Sequence, residues 1–305
     1  MRLFLAPFSS GGVFSMHHLS LRLSVIFGSA WLLLGTAQVF GQETGDTENL
    51  TPELIRKVLH KRASDYVIKT APDDTTLKRL DRSLLNWNNP QRTNECGIVQ
   101  LWTDDGMPLV MASFFTFEFR GTREKHEFIS LADSALVASY KDKVAWHPKE
   151  PGLKWNPLPA KISNGSRGTA GSKVRRLSQM RRFASHFKNQ ITSREGTDSE
   201  LRFLTQPIYR FDSKKHKVLD GAIFSYSIGT DPEVLLILKT ADGVQWDYAL
   251  ARLSSLDLRC QLDGQEIWKV DRIAELDFAL FAQAPYNTYP YTTFFPPTGQ
   301  LFVAE

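Results

Sequence analysis

An imidazole next to a carboxylate is a common source of a general base, and His126-Glu127 offers that pair in sequence. The surrounding residues read as a strand, where neighbouring side chains point to opposite faces, so the two cannot serve one substrate atom. Asp104-Asp105 and Asp231 read as turn residues, with a weak calcium site as the lesser alternative. Trp102, Trp146 and Trp268 read as core aromatics rather than as platforms for sugars. There is no GxSxG elbow, HExxH pair, phosphate loop or dinucleotide fingerprint. Cys96 and Cys260 are the only cysteines and lack metal-ligand spacing. Two buried thiols are the favoured reading, and one disulfide is the alternative. No catalytic residue, cofactor or metal is expected.

Charge gives a second lead. Residues 147–195 hold eleven Lys and Arg against two Glu, while 42–146 and 196–305 are mildly acidic. The first part of the basic stretch is rich in Pro, Gly, Ser and Lys and reads as a linker over 148–172. From 173 to 193 the spacing predicts a helix, with Val174, Leu177, Met180, Phe183, Ala184, Phe187 and Ile191 on one face. The opposite face carries Arg175, Arg176, Arg181, Arg182 and Lys188. Such a face is a candidate contact for an anionic membrane surface or an acidic partner, although a solvated basic face is the simpler reading. Nucleic acid is not an expected partner, because no recognised reading motif is present.

The elements that must position these residues occur twice. Gly97, Trp102, Pro108 and Val110 match Gly221, Tyr226, Pro232 and Val234 without a gap. Further on, His126-Glu127-Phe128 is aligned with Trp246-Asp247-Tyr248, Leu131 with Leu253, Ala138 with Cys260, and Trp146 with Trp268. Strands are predicted near 97–103, 108–119, 124–131, 135–141 and 143–147, and again near 221–227, 232–240, 245–253, 256–262 and 265–270. "DDG", "GTD", "ADG" and "LDG" supply the turns between strands. The second strand of each set is apolar on both faces, so both faces must be covered. A helix over 52–68, with Thr51 as N-cap and Pro52 at its first position, precedes the first set. The fold class expected is α+β: two related antiparallel β-meanders, as a sandwich or one strongly bent sheet, partly covered by helices. The units are 51–147 and 173–270, followed by an aromatic and Pro-rich tail over 271–305 that packs extended on the core.

Segments 220–238 and 246–254, "DGAIFSYSIGTDPEVLLIL" and "WDYALARLS", resemble a family of uncharacterised exported bacterial proteins. That resemblance implies export and no assigned activity. Export is read independently from the N-terminus. Residues 25–34 are strongly apolar but too short to span a bilayer, as in a signal peptide over 1–41 whose cut follows Val39-Phe40-Gly41. Met16 gives a lead of ordinary length and is the expected start. The location is then periplasmic or extracellular, with an uncleaved N-terminal tether as the alternative. Asn49 and Asn164 stand in N-glycosylation patterns, which matter only in a glycosylating host.

Three functions fit: a non-catalytic binding or envelope interaction protein, a carrier for an apolar ligand or lipid, and a hydrolase built from scattered loops. N-terminal sequencing of the exported protein should read Gln42-Glu43-Thr44. Retention of residues upstream of Gly41 would favour the tether.

Overall fold

In the computed structural model of the protein, the described residues are 51–90, 92, 95–118, 121–163, 171–281 and 283–297. The signal segment, Met16, Asn49, Asn164, Phe119 and the end of the tail lie outside them. Helix α1 (Pro52–Ser64) starts where expected: Thr51 Oγ1 accepts from Leu54 N–H at 3.3 Å and Pro52 sits in the first turn. It is followed by β1 (Tyr66–Thr70), β2 (Lys78–Arg79), β3 (Leu85–Asn89), β4 (Glu95–Asp104), β5 (Met107–Glu118), β6 (Thr122–Ser130), β7 (Leu136–Tyr140) and β8 (Lys143–Trp146). A short β9 (Asn156–Pro157) and α2 (Ala160–Ser163) lead into the second series. This comprises α3 (Lys173–Ala184), β10 (Phe187–Thr192), β11 (Asp198–Glu200), β12 (Arg202–Phe203), β13 (Tyr209–Ser213), β14 (Val218–Ile228), β15 (Asp231–Thr240), β16 (Asp247–Arg252), β17 (Asp257–Leu262) and β18 (Gln265–Val270). Strand β19 (Tyr291–Phe294) closes the list, and every pairing of these strands is antiparallel.

The expected runs of five strands do not stay together. Strands β4, β5 and β6 share a sheet with β2, β3 and β19, whereas β7 and β8 leave it to pair with β1. Likewise β14, β15 and β16 share a sheet with β9, β12 and β13, whereas β17 and β18 pair with β10 and β11. The cause is the strand after each helix, which offers an edge to β7 or β17. Both predicted helices are therefore too long. The first ends at Ser64, and Tyr66, Ile68 and Thr70 then alternate inward on β1. The second ends at Ala184. Phe187 and Ile191 are four residues apart, a spacing that shares one face of a helix and also one face of a strand; they are buried on β10 against β17. Val174 is exposed, contrary to its expected place on the apolar face.

The two large sheets meet across a shared core. From the second sheet Ile223, Leu235, Ile237, Ala249 and Ala251 join the core formed by Val99, Met111, Ile129 and their neighbours. The alternate residues Phe224, Leu236, Leu238 and Leu250 belong to a second core with Met180 and Phe183 of α3 and Ile191 of β10. That double burial is why β15 lacks polar alternation.

Register repeats between the sheets. Trp102 faces Val110 as Tyr226 faces Val234, each pair followed by the same one-residue irregularity before the proline. Ala138 faces Trp146 as Cys260 faces Trp268, again with an irregularity just after. The expected match of His126 with Trp246 is displaced by two residues. His126 faces Phe114 and Tyr248 faces Leu238, so His126 corresponds to Tyr248. The strand edges are also closed reciprocally: β9 pairs with β16 of the second sheet, and β19 pairs with β6 of the first.

Gly97 and Gly221 have one steric task. A Cβ on Gly97 would lie 2.6 Å from the Trp87 ring, and one on Gly221 would lie 2.4 Å from the Phe211 ring. Both aromatics sit directly opposite their glycine, on β3 and β13. Gly221→Ala is expected to cost about 2 kcal/mol, as overpacking of a filled core does. Urea unfolding measures this, and adding Phe211→Leu should recover part of the loss.

Candidate functional site

Strand β6 divides its polar residues between two faces. On one face His126 is fully buried, with Nδ1 2.6 Å from the Tyr66 hydroxyl and Nε2 2.7 Å from Glu124 Oε1. Glu124 continues the network to Arg62 at 3.6 Å. Phe114 and Tyr140 pack edge-on against the imidazole, so this cluster is part of the core. Glu127 points the other way, as the strand reading required, and its hydroxyl partner there is Tyr291 of β19.

That other face lines a cavity of about 540 Å³. Glu127 and Lys125 reach it from β6, Glu95 from the start of β4, Arg92 from the loop before it, and Asp231 and Glu233 from β15. Arg92 lies 2.5 Å from Glu233 and 3.8 Å from Asp231. Asn89 Nδ2 donates to Asp231 at 3.2 Å. Lys125 donates to the Leu276 carbonyl at 3.0 Å and lies 5.2 Å from the centre of the Phe295 ring. Asp277 is held by Arg194 at 3.0 Å and Arg272 at 2.6 Å. On the same sheet face as Glu95 and Glu127 runs an aromatic wall, Trp87 to Phe115 at 5.5 Å, Phe115 to Phe117 at 6.3 Å, and Phe117 to Phe295 at 6.2 Å.

Burial dominates the electrostatics. It pushes Glu127 up to about 7, against the hydrogen bond from Tyr291. It pushes Glu95 up to about 7, against the attraction of Arg92. Asp231 is raised well above an ordinary carboxylate by burial and by its acidic neighbours, Glu233 is raised by burial, and Lys125 is lowered by burial to about 8. Groups perturbed in this way gather where a protein binds or reacts.

Three of these acids have uncharged counterparts in the other half, whereas Lys125 corresponds to Asp247. By register, Asp231 and Glu233 take the places of Met107 and Leu109, and Glu127 takes that of Ala249. Asp231 is thus no mere turn residue. The signal that marks it is an acid on either side of Pro232, opening a strand otherwise apolar on both faces.

The other expectations separate. Asp104 pairs with Lys215 and His216, at 2.7 and 2.8 Å, and Asp105 with Ser213 at 2.9 Å. Among the described residues no group of three His, Cys, Asp or Glu is placed to hold a metal. Cys96 and Cys260 are buried and unbonded to each other, and burial pushes Cys260 up to about 12. The five basic residues do not form one face. Arg175, Arg182 and Lys188 are exposed, the last on β10 rather than on a helix. Arg176 instead turns inward, because Asp220 on the covered sheet binds it at 2.7 Å, and Arg181 holds Gln206.

In comparisons with known proteins the chain matches no family model, no curated protein and no solved structure.

The raised carboxyls set a pH dependence. Between about 4.5 and 7 the folded state keeps protons on Glu95 and Glu127 that the unfolded chain has lost, so their contribution to stability is full below that window and is lost as pH rises through 7. Glu127→Gln should therefore melt like the wild type at pH 4.5 and above it at pH 8. Calorimetric melts of both proteins across that range check the sign, and a variant less stable at pH 8 would contradict it.

Proposed function

We propose that this is an exported, non-catalytic binding protein that holds a small amphiphilic molecule in the pocket between its two large sheets. The observation that carries the reading is the pairing of an aromatic wall with buried carboxyls around one cavity of about 540 Å³. Cavities of that size with a few convergent polar groups suit small molecules. A wholly apolar lipid fits less well, because it would leave Glu95, Glu127 and Asp231 facing hydrocarbon. The apolar run at 25–34 supports export, as does the resemblance of 220–238 to exported proteins. A duplication of a helix-and-strands unit is supported by the repeated register, the two aromatic-on-glycine contacts and the reciprocal strands β9 and β19. On that reading α1 and α3 are corresponding cover helices, and Glu127, Asp231 and Glu233 are acids that only one of two corresponding sites carries. Contact with an anionic surface through Arg175, Arg182 and Lys188 is a lesser role, supported by their exposure alone.

A second reading, an acid–base hydrolase, is favoured by Glu127 and Glu95, both held near 7 in the same cavity. Native mass spectrometry of the protein purified from its own host separates the two. A stoichiometric small-molecule adduct, lost in Asp231→Asn, is the expected result. Turnover of an ester, amide or glycoside library with no adduct would favour the hydrolase.

A further inference from the structure

At one end of the pocket three carboxyls, Glu95, Asp231 and Glu233, meet a single guanidinium, Arg92. Glu95 and Asp231 line the same end, and both are raised by burial and by Glu233 beside them. Their surroundings hold acceptors in excess of donors. A separate observation lies on the same wall. Thr293 is buried, faces Glu127 across the β19–β6 pairing, and its Oγ1 has no hydrogen-bond partner. Buried hydroxyls are ordinarily bonded, so an unbonded one that lines a cavity points to a group supplied from outside.

The pocket's cations are committed elsewhere. Lys125 is spent on the Leu276 carbonyl and the Phe295 ring, and Arg194 on Asp277. Arg123 and Glu195 also face the cavity and offset each other in charge. An anionic ligand would have to break one of these pairings, whereas a cationic one finds acceptors waiting. Aromatic faces also attract cations, and Trp is the strongest in this respect.

We propose that the pocket receives a small arylalkylamine: its ammonium group lies between Glu95 and Asp231 in place of a carboxyl proton, and its apolar body lies along Trp87, Phe115 and Phe117. This rests on the binding reading above and names the ligand class for that site. The amine enters as the protonated cation, and the displaced proton leaves to solvent. Binding therefore strengthens as pH rises through the titration of Glu95, near 7, because ionised carboxyls are the form that accepts the cation.

The test is isothermal titration calorimetry of the full chain with three probes that differ only in their polar end: 2-phenylethylamine, 2-phenylethanol and 3-phenylpropanoate. The amine alone should bind, about tenfold more tightly at pH 8 than at pH 6, with uptake of a proton by the buffer. Asp231→Asn and Glu95→Gln should each weaken it about tenfold, since a hydrogen bond to a charged group is lost in each. Circular dichroism checks that the variants fold, and two variants on different strands guard against the failure of one. Equal or tighter binding of the alcohol or the acid overturns the cation assignment and leaves the pocket as a binding site. Amine binding unchanged in both variants places it elsewhere and overturns the proposal. No heat from any probe at millimolar ligand also overturns it, while the native adduct decides separately on the pocket.

Discussion

The outer edge of β6 must find a hydrogen-bonding partner, and β19 supplies it. An open sheet edge presents a row of unpaired backbone groups, a liability in any β-rich protein. Closing it with a segment from beyond the second series of strands has local effects. Tyr291 arrives with its hydroxyl on Glu127, Thr293 stands opposite Glu127, and Phe295 comes under the Lys125 ammonium. One side of the pocket is thus made by the strand that seals the sheet. The matching contact at β9 is only two residues long and brings no comparable set of side chains.

Two kinds of buried charge can be compared within this chain. Asp220 is met by Arg176 at 2.7 Å and by Arg210 at 2.6 Å, so its charge is matched by two guanidinium groups. In the pocket Asp277 is matched likewise, by Arg194 and Arg272, but Glu95, Glu127 and Asp231 are not. Burial outweighs Arg92 at Glu95 and outweighs the Tyr291 hydrogen bond and Lys125 at Glu127, and both sit near 7 in consequence. A buried ion pair with good geometry can be purely structural, whereas carboxyls kept dry and under-neutralised oppose folding. Local conflict of that sort is expected where a site is built for something other than stability.

The long strands were legible because turn chemistry and apolar runs both declared them. At the β4–β5 and β17–β18 turns, Asp105, Gly106, Asp263 and Gly264 all take positive φ, as the "DDG" and "LDG" signals implied. The short strands β2, β3, β9, β12, β13 and β19 were not legible. Their state is set by partners far along the chain, not by alternation of their own. Helix ends were misread for a related reason: the even spacing of Phe187 and Ile191 satisfies both periods, and only pairing with β17 decides between them. The pocket was the least visible feature. Glu95, Glu127 and the Asp231–Glu233 pair lie on three separate strands and Tyr291 and Thr293 on a fourth, so no local motif could gather them. The one readable mark was an acid on each side of Pro232, in a strand with no wet face.

The reciprocal strands also order events during synthesis. Glu127 and Tyr291 are separated by 164 residues. As a chain emerges from the ribosome its N-terminal parts gain the chance to fold first. Here the first large sheet can form β4, β5 and β6 early, but its edge stays open until Tyr291–Phe294 has been made. The second sheet has the opposite timing, since β9 is already present when β16 appears. The half that carries most of the pocket is therefore the last to be finished, and it waits with an exposed edge for longest.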